Sequence, residues 1–152
     1  MEHWRRSLGV KVIGTSRVSK YTIEPMKKGG GGTMVNLASI SNRVAQANLI
    51  TYSATKAAHL HMARNMAMDF AVHNIRVNCV CPGSIITSTT YQYMEETGKT
   101  LEQVNAEEGA KTLLKRPGKA SEVASAILIL ASDVASYITG AILMVDGGHT
   151  AM

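Results

Sequence analysis

Aromatic side chains are scarce in this sequence: one Phe, one Trp and five Tyr among 152 residues. Cysteine is scarcer, with Cys79 and Cys81 alone. Two apart on an expected strand, they share one face. Such neighbours are poorly placed to bridge, and two thiols without a neighbouring His make a weak metal site. No metal is expected, and the pair reads as two reduced, buried thiols of a cytoplasmic protein. No apolar run approaches the roughly 18 residues that a spanning helix needs. The opening Met-Glu-His-Trp-Arg-Arg has no apolar signal core behind it. A soluble protein with no membrane partner is expected.

Runs of like charge are also lacking. The net charge is +5 and the pI about 9.4, a balance that could suit nucleic acid. The basic residues are scattered, however, and aromatics are not interleaved with them, so no nucleic-acid partner is expected. What is present is ordinary for a globular protein, 45% hydrophobic and 18% charged. Nine Met suit irregular gaps in a core. The length allows one domain with a real core, taken as residues 1–152.

Apolar residues at mixed helical spacing predict a helix over 4–26, ended by Pro25 and the glycines after it. Gly29 to Gly32 is then a turn. It precedes a strand instead of following one, so it is no phosphate loop. Thr33 to Leu37 reads as a strand, 38–49 as a loop, and Tyr52 to Val72 as a long helix. That helix is apolar or small nearly all round, which predicts burial by a sheet and by another subunit. After a turn at His73-Asn74 comes a strand from Ile75 to Val80, with Arg76 and Asn78 alternating against Ile75, Val77 and Cys79, ended by Pro82-Gly83. Residues 84–116 are polar and too long for a simple connection, and read as a mobile helical flap. A helix over 121–132, started by Ser121 and Glu122, and a strand over 141–145 complete the order. Alternating helices and strands predict an α/β fold with parallel strands and right-handed crossovers, about three strands with flanking helices.

The chemistry centres on Tyr52 and Lys56. Four residues apart on a helix, they lie one turn apart on the same face. A phenol ordinarily ionises near pH 10, and a neighbouring ammonium favours the phenolate. Such a group can exchange a proton with a carbonyl or alcohol oxygen. Alone, the spacing is weak and fits a solvated helix face equally well. Ser39 stands at the end of a predicted strand, where open α/β sheets place their sites. Its hydroxyl can hydrogen-bond a substrate oxygen that develops charge.

Taken together, these segments resemble the short-chain dehydrogenase/reductase family. The resemblance is carried by Thr33 to Ser39, Tyr52-Ser53-Ala54-Thr55-Lys56-Ala57-Ala58 and Ile75 to Gly83. Arg116-Pro117-Gly118, Ser121-Glu122-Val123-Ala124, Leu130-Ala131-Ser132-Asp133, Tyr137-Ile138-Thr139-Gly140 and Val145-Asp146-Gly147-Gly148 follow in the family's order. It covers essentially the whole chain and corresponds to the C-terminal half of a member. The implied fold is part of a Rossmann-like doubly wound parallel sheet. The implied reaction is hydride transfer between a secondary alcohol or ketone and NAD or NADP. By resemblance, Tyr52 is the general acid/base, Lys56 holds the nicotinamide ribose, and Ser39 polarises the substrate oxygen. Pro82, Gly83, Ile85 and Thr87 line the nicotinamide and diphosphate region.

Two departures stand out. No glycine-rich turn follows a strand and opens a helix, so the adenosine end of a dinucleotide finds no binding loop. The expected sheet therefore has a bare edge, and self-association or association with full-length relatives is expected. Second, Lys11 stands where the family usually carries Asn. It is read either as a second cation near Lys56 or as a side chain snorkelling outward. A catalytically silent remnant that acts only through oligomerisation is the competing function.

Overall fold

The computed structural model describes residues 1–152 as one α/β unit around a parallel three-stranded sheet. Strand β1 (Gly32–Leu37) pairs in parallel with β2 (Ile75–Pro82), which pairs in parallel with β5 (Ile142–Val145). The sheet order is β1-β2-β5. Two short strands, β3 (Ile85–Ile86) and β4 (Gly118–Lys119), pair in parallel outside it. Helices α1 (Glu2–Ser7), α2 (Gly14–Lys28) and α3 (Ile50–Phe70) precede β2, while α4 (Ser88–Thr97), α5 (Leu101–Ala110) and α6 (Ala120–Ala131) follow it.

Parallel sheets must be covered on both faces, because crossover helices lie on each. One core joins Ile23 of α2 and Ala63 and Ala67 of α3 to Ile75, Val77, Cys79 and Cys81 of β2. The other packs Val123 and Leu130 of α6 and Ala135 against Val80. Strand β2 is thus sandwiched. Its expected polar alternation is broken at Asn78, which is fully buried. That amide is satisfied there: its Nδ2 donates to Ile138 O at 2.9 Å and its Oδ1 accepts from Ala141 N at 3.0 Å. The Arg76 guanidinium closes the end of α6 by donating to the Leu130 and Ser132 carbonyls, each at 3.0 Å.

Several boundaries differ from the sequence reading. The first helix is continuous but contains a π-helical turn, Leu8–Ile13, between α1 and α2. Pro25 lies inside α2, which runs on to Lys28. The carbonyl that Pro25 cannot pair is that of Tyr21, a residue 73% exposed and so open to solvent. Pro82 is likewise the last residue of β2. The final helix opens one residue before Ser121, and the Glu122 carboxylate accepts the Lys119 N–H at 2.7 Å. Residues 84–116 hold α4 and α5, each started by a Thr capping box.

Only one stripe of α3 is buried within the chain, Thr55, His59, Ala63 and Ala67, at a spacing of four. Met68 on its other side, and Val72 in the turn just beyond it, are more than 80% exposed. Strand β1 also has one edge with no partner strand. No helix is long and apolar enough to cross a membrane. Cys79 and Cys81 are free and buried.

Because Ile75 is 1% exposed at the start of β2, Ile75→Ala leaves a cavity and should cost about 2–5 kcal/mol. Val18, 64% exposed, should tolerate Ala within about 0.5 kcal/mol. Urea denaturation midpoints at constant slope check both.

Candidate active site

Strand β1 delivers the chain to Ser39 just beyond its end, and Ser39 caps a short 3-10 turn over Ile40–Asn42. Its Oγ accepts the Ser41 N–H at 3.2 Å and stands 3.1 Å from Ser41 Oγ. Ser41 in turn donates its hydroxyl to Gln46 Oε1. Because the Ser41 hydroxyl hydrogen goes to Gln46, the Ser39 O–H is the donor of the Ser39–Ser41 contact, and it must turn from Ser41 to reach a substrate oxygen. Sequence reasoning missed Ser41 and Gln46. The Ser-x-Ser spacing, a local side-chain-to-backbone turn motif, is the signal that could have found them.

Tyr52 sits in the first turn of α3 and Lys56 one turn on, as their spacing requires. The N-cap, Leu49, makes no side-chain bond, so the free N–H groups of that first turn add positive potential around Tyr52. Lys56 Nζ donates to Leu37 O, the last carbonyl of β1, at 3.0 Å. That bond ties helix to strand and leaves two Lys56 N–H groups without a protein partner. Nζ also lies 5.6 Å from the centre of the Tyr52 ring. Lys11 does not turn outward: its Nζ stands 5.1 Å from that ring centre. The phenol ring is therefore flanked by two ammonium groups.

Burial, first, and the positive charge of Lys11, second, hold the Lys56 pKa below the ordinary lysine value of 10.5. Cys79 and Cys81 act weakly in the opposite direction. Deprotonation of Lys56 accordingly sets in at a lower pH than for a solvated lysine.

One cleft of about 490 Å³ is lined by all seven residues singled out in the sequence: Ser39, Tyr52, Lys56, Pro82, Gly83, Ile85 and Thr87. Its apolar walls come from the ends of β1 and β2 and from Val123, Ala124 and Ile127 of α6. Volume and lining are those of a small-molecule site, apolar with a few convergent polar groups. The fit to a nicotinamide riboside is good. A flat ring needs apolar walls, ribose hydroxyls need donors such as the two unused Lys56 N–H groups, and Thr87 stands at the N-terminus of α4. Gly83 is required by packing: a Cβ there would lie 2.9 Å from Asp146 Cα. His59, which the sequence reading did not single out, lies buried one turn beyond Lys56.

Fold and cleft together describe an α/β oxidoreductase site. A family model described as Enoyl-(Acyl carrier protein) reductase matches residues 1–150. The chain is 38% identical, over 98% of its length, to the cis-4-hydroxycyclohexanecarboxylate dehydrogenase of Sinomonas cyclohexanicum, of which it covers 57%. The ligand-free aldohexose dehydrogenase of Thermoplasma acidophilum superposes with a TM-score of 0.93 at 34% identity, covering 100% of this chain and 61% of that one. A gluconate 5-dehydrogenase from Burkholderia cenocepacia, solved with NADP and tartrate, superposes with a TM-score of 0.88 at 25% identity, covering 99% of this chain and 57% of that one. The chain belongs to the short-chain dehydrogenase/reductase family. It spans less than two thirds of the length of the curated relatives it matches.

Gly83→Ala must push β2 away from the backbone at Asp146. It should destabilise the fold by about 1–3 kcal/mol, read as a lower thermal midpoint.

Proposed function

We propose that this chain carries the catalytic site of an NAD- or NADP-dependent dehydrogenase that interconverts a secondary alcohol and a ketone. The observation that carries the reading is the convergence of Ser39, Tyr52, Lys56 and the Pro82–Gly83 strand end on one cleft. The named relatives, all dehydrogenases, and the one solved with NADP give it further support.

When bound, the nicotinamide supplies the hydride acceptor or donor. This chain's residues handle the proton and the geometry. In oxidation Tyr52 takes the hydroxyl proton as the carbonyl forms; in reduction it returns that proton to the carbonyl oxygen. The O–H of Ser39, turned from Ser41 to the substrate, donates to the same oxygen, where negative charge builds in the transition state. Lys56 holds the ribose hydroxyls with the N–H groups not used on Leu37 O. Pro82, Gly83 and Ile85 supply apolar contact for the ring, and Thr87 meets the diphosphate side. Residues 84–116 bring Tyr91, Tyr93 and Leu114 as candidate substrate contacts.

Self-association accompanies this reading. The groove between α2 and α3 carries Lys20 and Lys27 together with Glu24 and Asp69 around an apolar floor of Ile23, Met62 and Phe70. A patch holding both charges can face its own copy across a two-fold axis. The covered partner is a second copy of this chain or a full-length relative.

Calorimetric titration with NADH and NADPH tests the cofactor. Absence of binding at millimolar concentrations leaves association as the only role for this chain. In the active protein, Tyr52→Phe should lower kcat/KM at least about 100-fold, and Ser39→Ala about 100- to 1,000-fold. The pH dependence follows from Lys56: its ammonium binds the ribose and is lost below the ordinary lysine range. Cofactor affinity should therefore fall as pH rises, beginning before solvated lysines titrate, and Lys56→Met should abolish that limb.

A further inference from the structure

We propose that His59 is a positioning residue that holds Lys11 in place as a second cation on Tyr52, opposite Lys56. The proposal deepens the catalytic reading of Tyr52 and rests on it. Its starting point is an oddity of charge. Lys11 and Lys56 both crowd one phenol ring, at 5.1 and 5.6 Å from its centre. No carboxylate pairs with either of them. Two like charges at one ring repel, and a lysine side chain with no other contact would swing into water. Something other than its own ammonium must keep Lys11 there.

The backbone of Lys11 supplies the answer. Lys11 lies in the π-helical turn Leu8–Ile13, where the regular ladder is interrupted. Its carbonyl accepts the Thr15 hydroxyl at 2.7 Å and lies 2.5 Å from His59 Nε2. A carbonyl cannot donate, so that ring nitrogen carries the hydrogen and donates to it. The same Nε2 stands 3.2 Å from Thr15 Oγ. The other ring nitrogen, Nδ1, lies 3.4 Å from Leu37 O, the carbonyl that fixes Lys56. With its hydrogen on Nε2, the imidazole meets Leu37 O through an unprotonated Nδ1, in contact but without a hydrogen bond. The buried ring therefore ties the turn carrying Lys11 to α3, the helix of Tyr52 and Lys56. The groups facing Lys56 are Tyr52 and His59 on α3, Lys11 on the π-helical turn, and Cys79 and Cys81 on β2; none is a carboxylate, and the two thiols oppose the effect of Lys11.

Nuclear magnetic resonance on protein labelled with carbon-13 at the lysine ε position tests this directly. The Lys56 signal is assigned by its loss in Lys56→Arg, and its titration is followed in the full chain. Removing the neighbouring charge with Lys11→Met should move the Lys56 titration upward by about half a pH unit or more. His59→Leu should move it in the same direction by a similar amount, and the double variant should add nothing further. If His59→Leu fails to fold by circular dichroism, His59→Asn, too short to span both carbonyls, takes its place with the same expectation. An unchanged Lys56 titration in Lys11→Met, or in a folded His59 variant, overturns the proposal. The titration needs no turnover, so absence of alcohol oxidation tells against the catalytic reading alone and leaves this result standing separately.

Discussion

The Leu37 carbonyl is where the sheet and the catalytic helix meet. It is the last acceptor of β1, and instead of continuing a ladder it takes the Lys56 ammonium at 3.0 Å. A charged donor makes this a stronger bond than a neutral one. It sets the height of α3 along the sheet, and so the position of Tyr52 beside the chain that leaves β1 at Ser39. The cleft residues on β2 then follow from the parallel register, which pairs Leu37 with Val80 and puts Pro82 at the strand end and Gly83 just past it. Moving that one carbonyl would shift proton donor, cation and hydroxyl together.

Much of this arrangement was legible in the chain. Strands β1, β2 and β5 announce themselves as short apolar runs bounded by glycine, proline and asparagine, and the helix carrying Tyr52 and Lys56 by its length and composition. All seven proposed site residues reach one cleft because strand ends and the first turn of α3 are the positions that topology brings together. What escaped the reading depended on contacts between distant segments. Pro25 does not stop α2, because the carbonyl it orphans faces water. Asn78 looked like a solvent-facing alternation, yet it is buried, since its amide has found Ile138 and Ala141 some sixty residues away. His59 reads as one more residue on an apolar helix. Its role is visible only once the turn carrying Lys11 is laid beside it.

The electrostatics of the cleft are one-sided. Two ammonium groups and the uncapped start of α3 surround the phenol, with no carboxylate to offset them. Such a site suits a dinucleotide that brings negative charge. It does so at a cost, since burial makes the Lys56 ammonium harder to keep. Exposed Met68 and the mixed charges of the α2–α3 groove lie on the outer side of the same helix. Association through that groove would stiffen the helix that carries the reactive pair.

The register also bears on how the molecule reaches this state. Gly32 pairs with Ile75, and Cys79 pairs with Ile142, so each strand contact closes a long stretch of chain. No hairpin offers a local nucleus for the main sheet, because all its pairings are parallel. Closing such loops costs entropy before any contact repays it. The central strand therefore waits for a neighbour made much later in the sequence, and its row of fully buried valines and cysteines spends that interval uncovered. A hydrophobic ribbon left uncovered until the last strand arrives is where aggregation competes with folding.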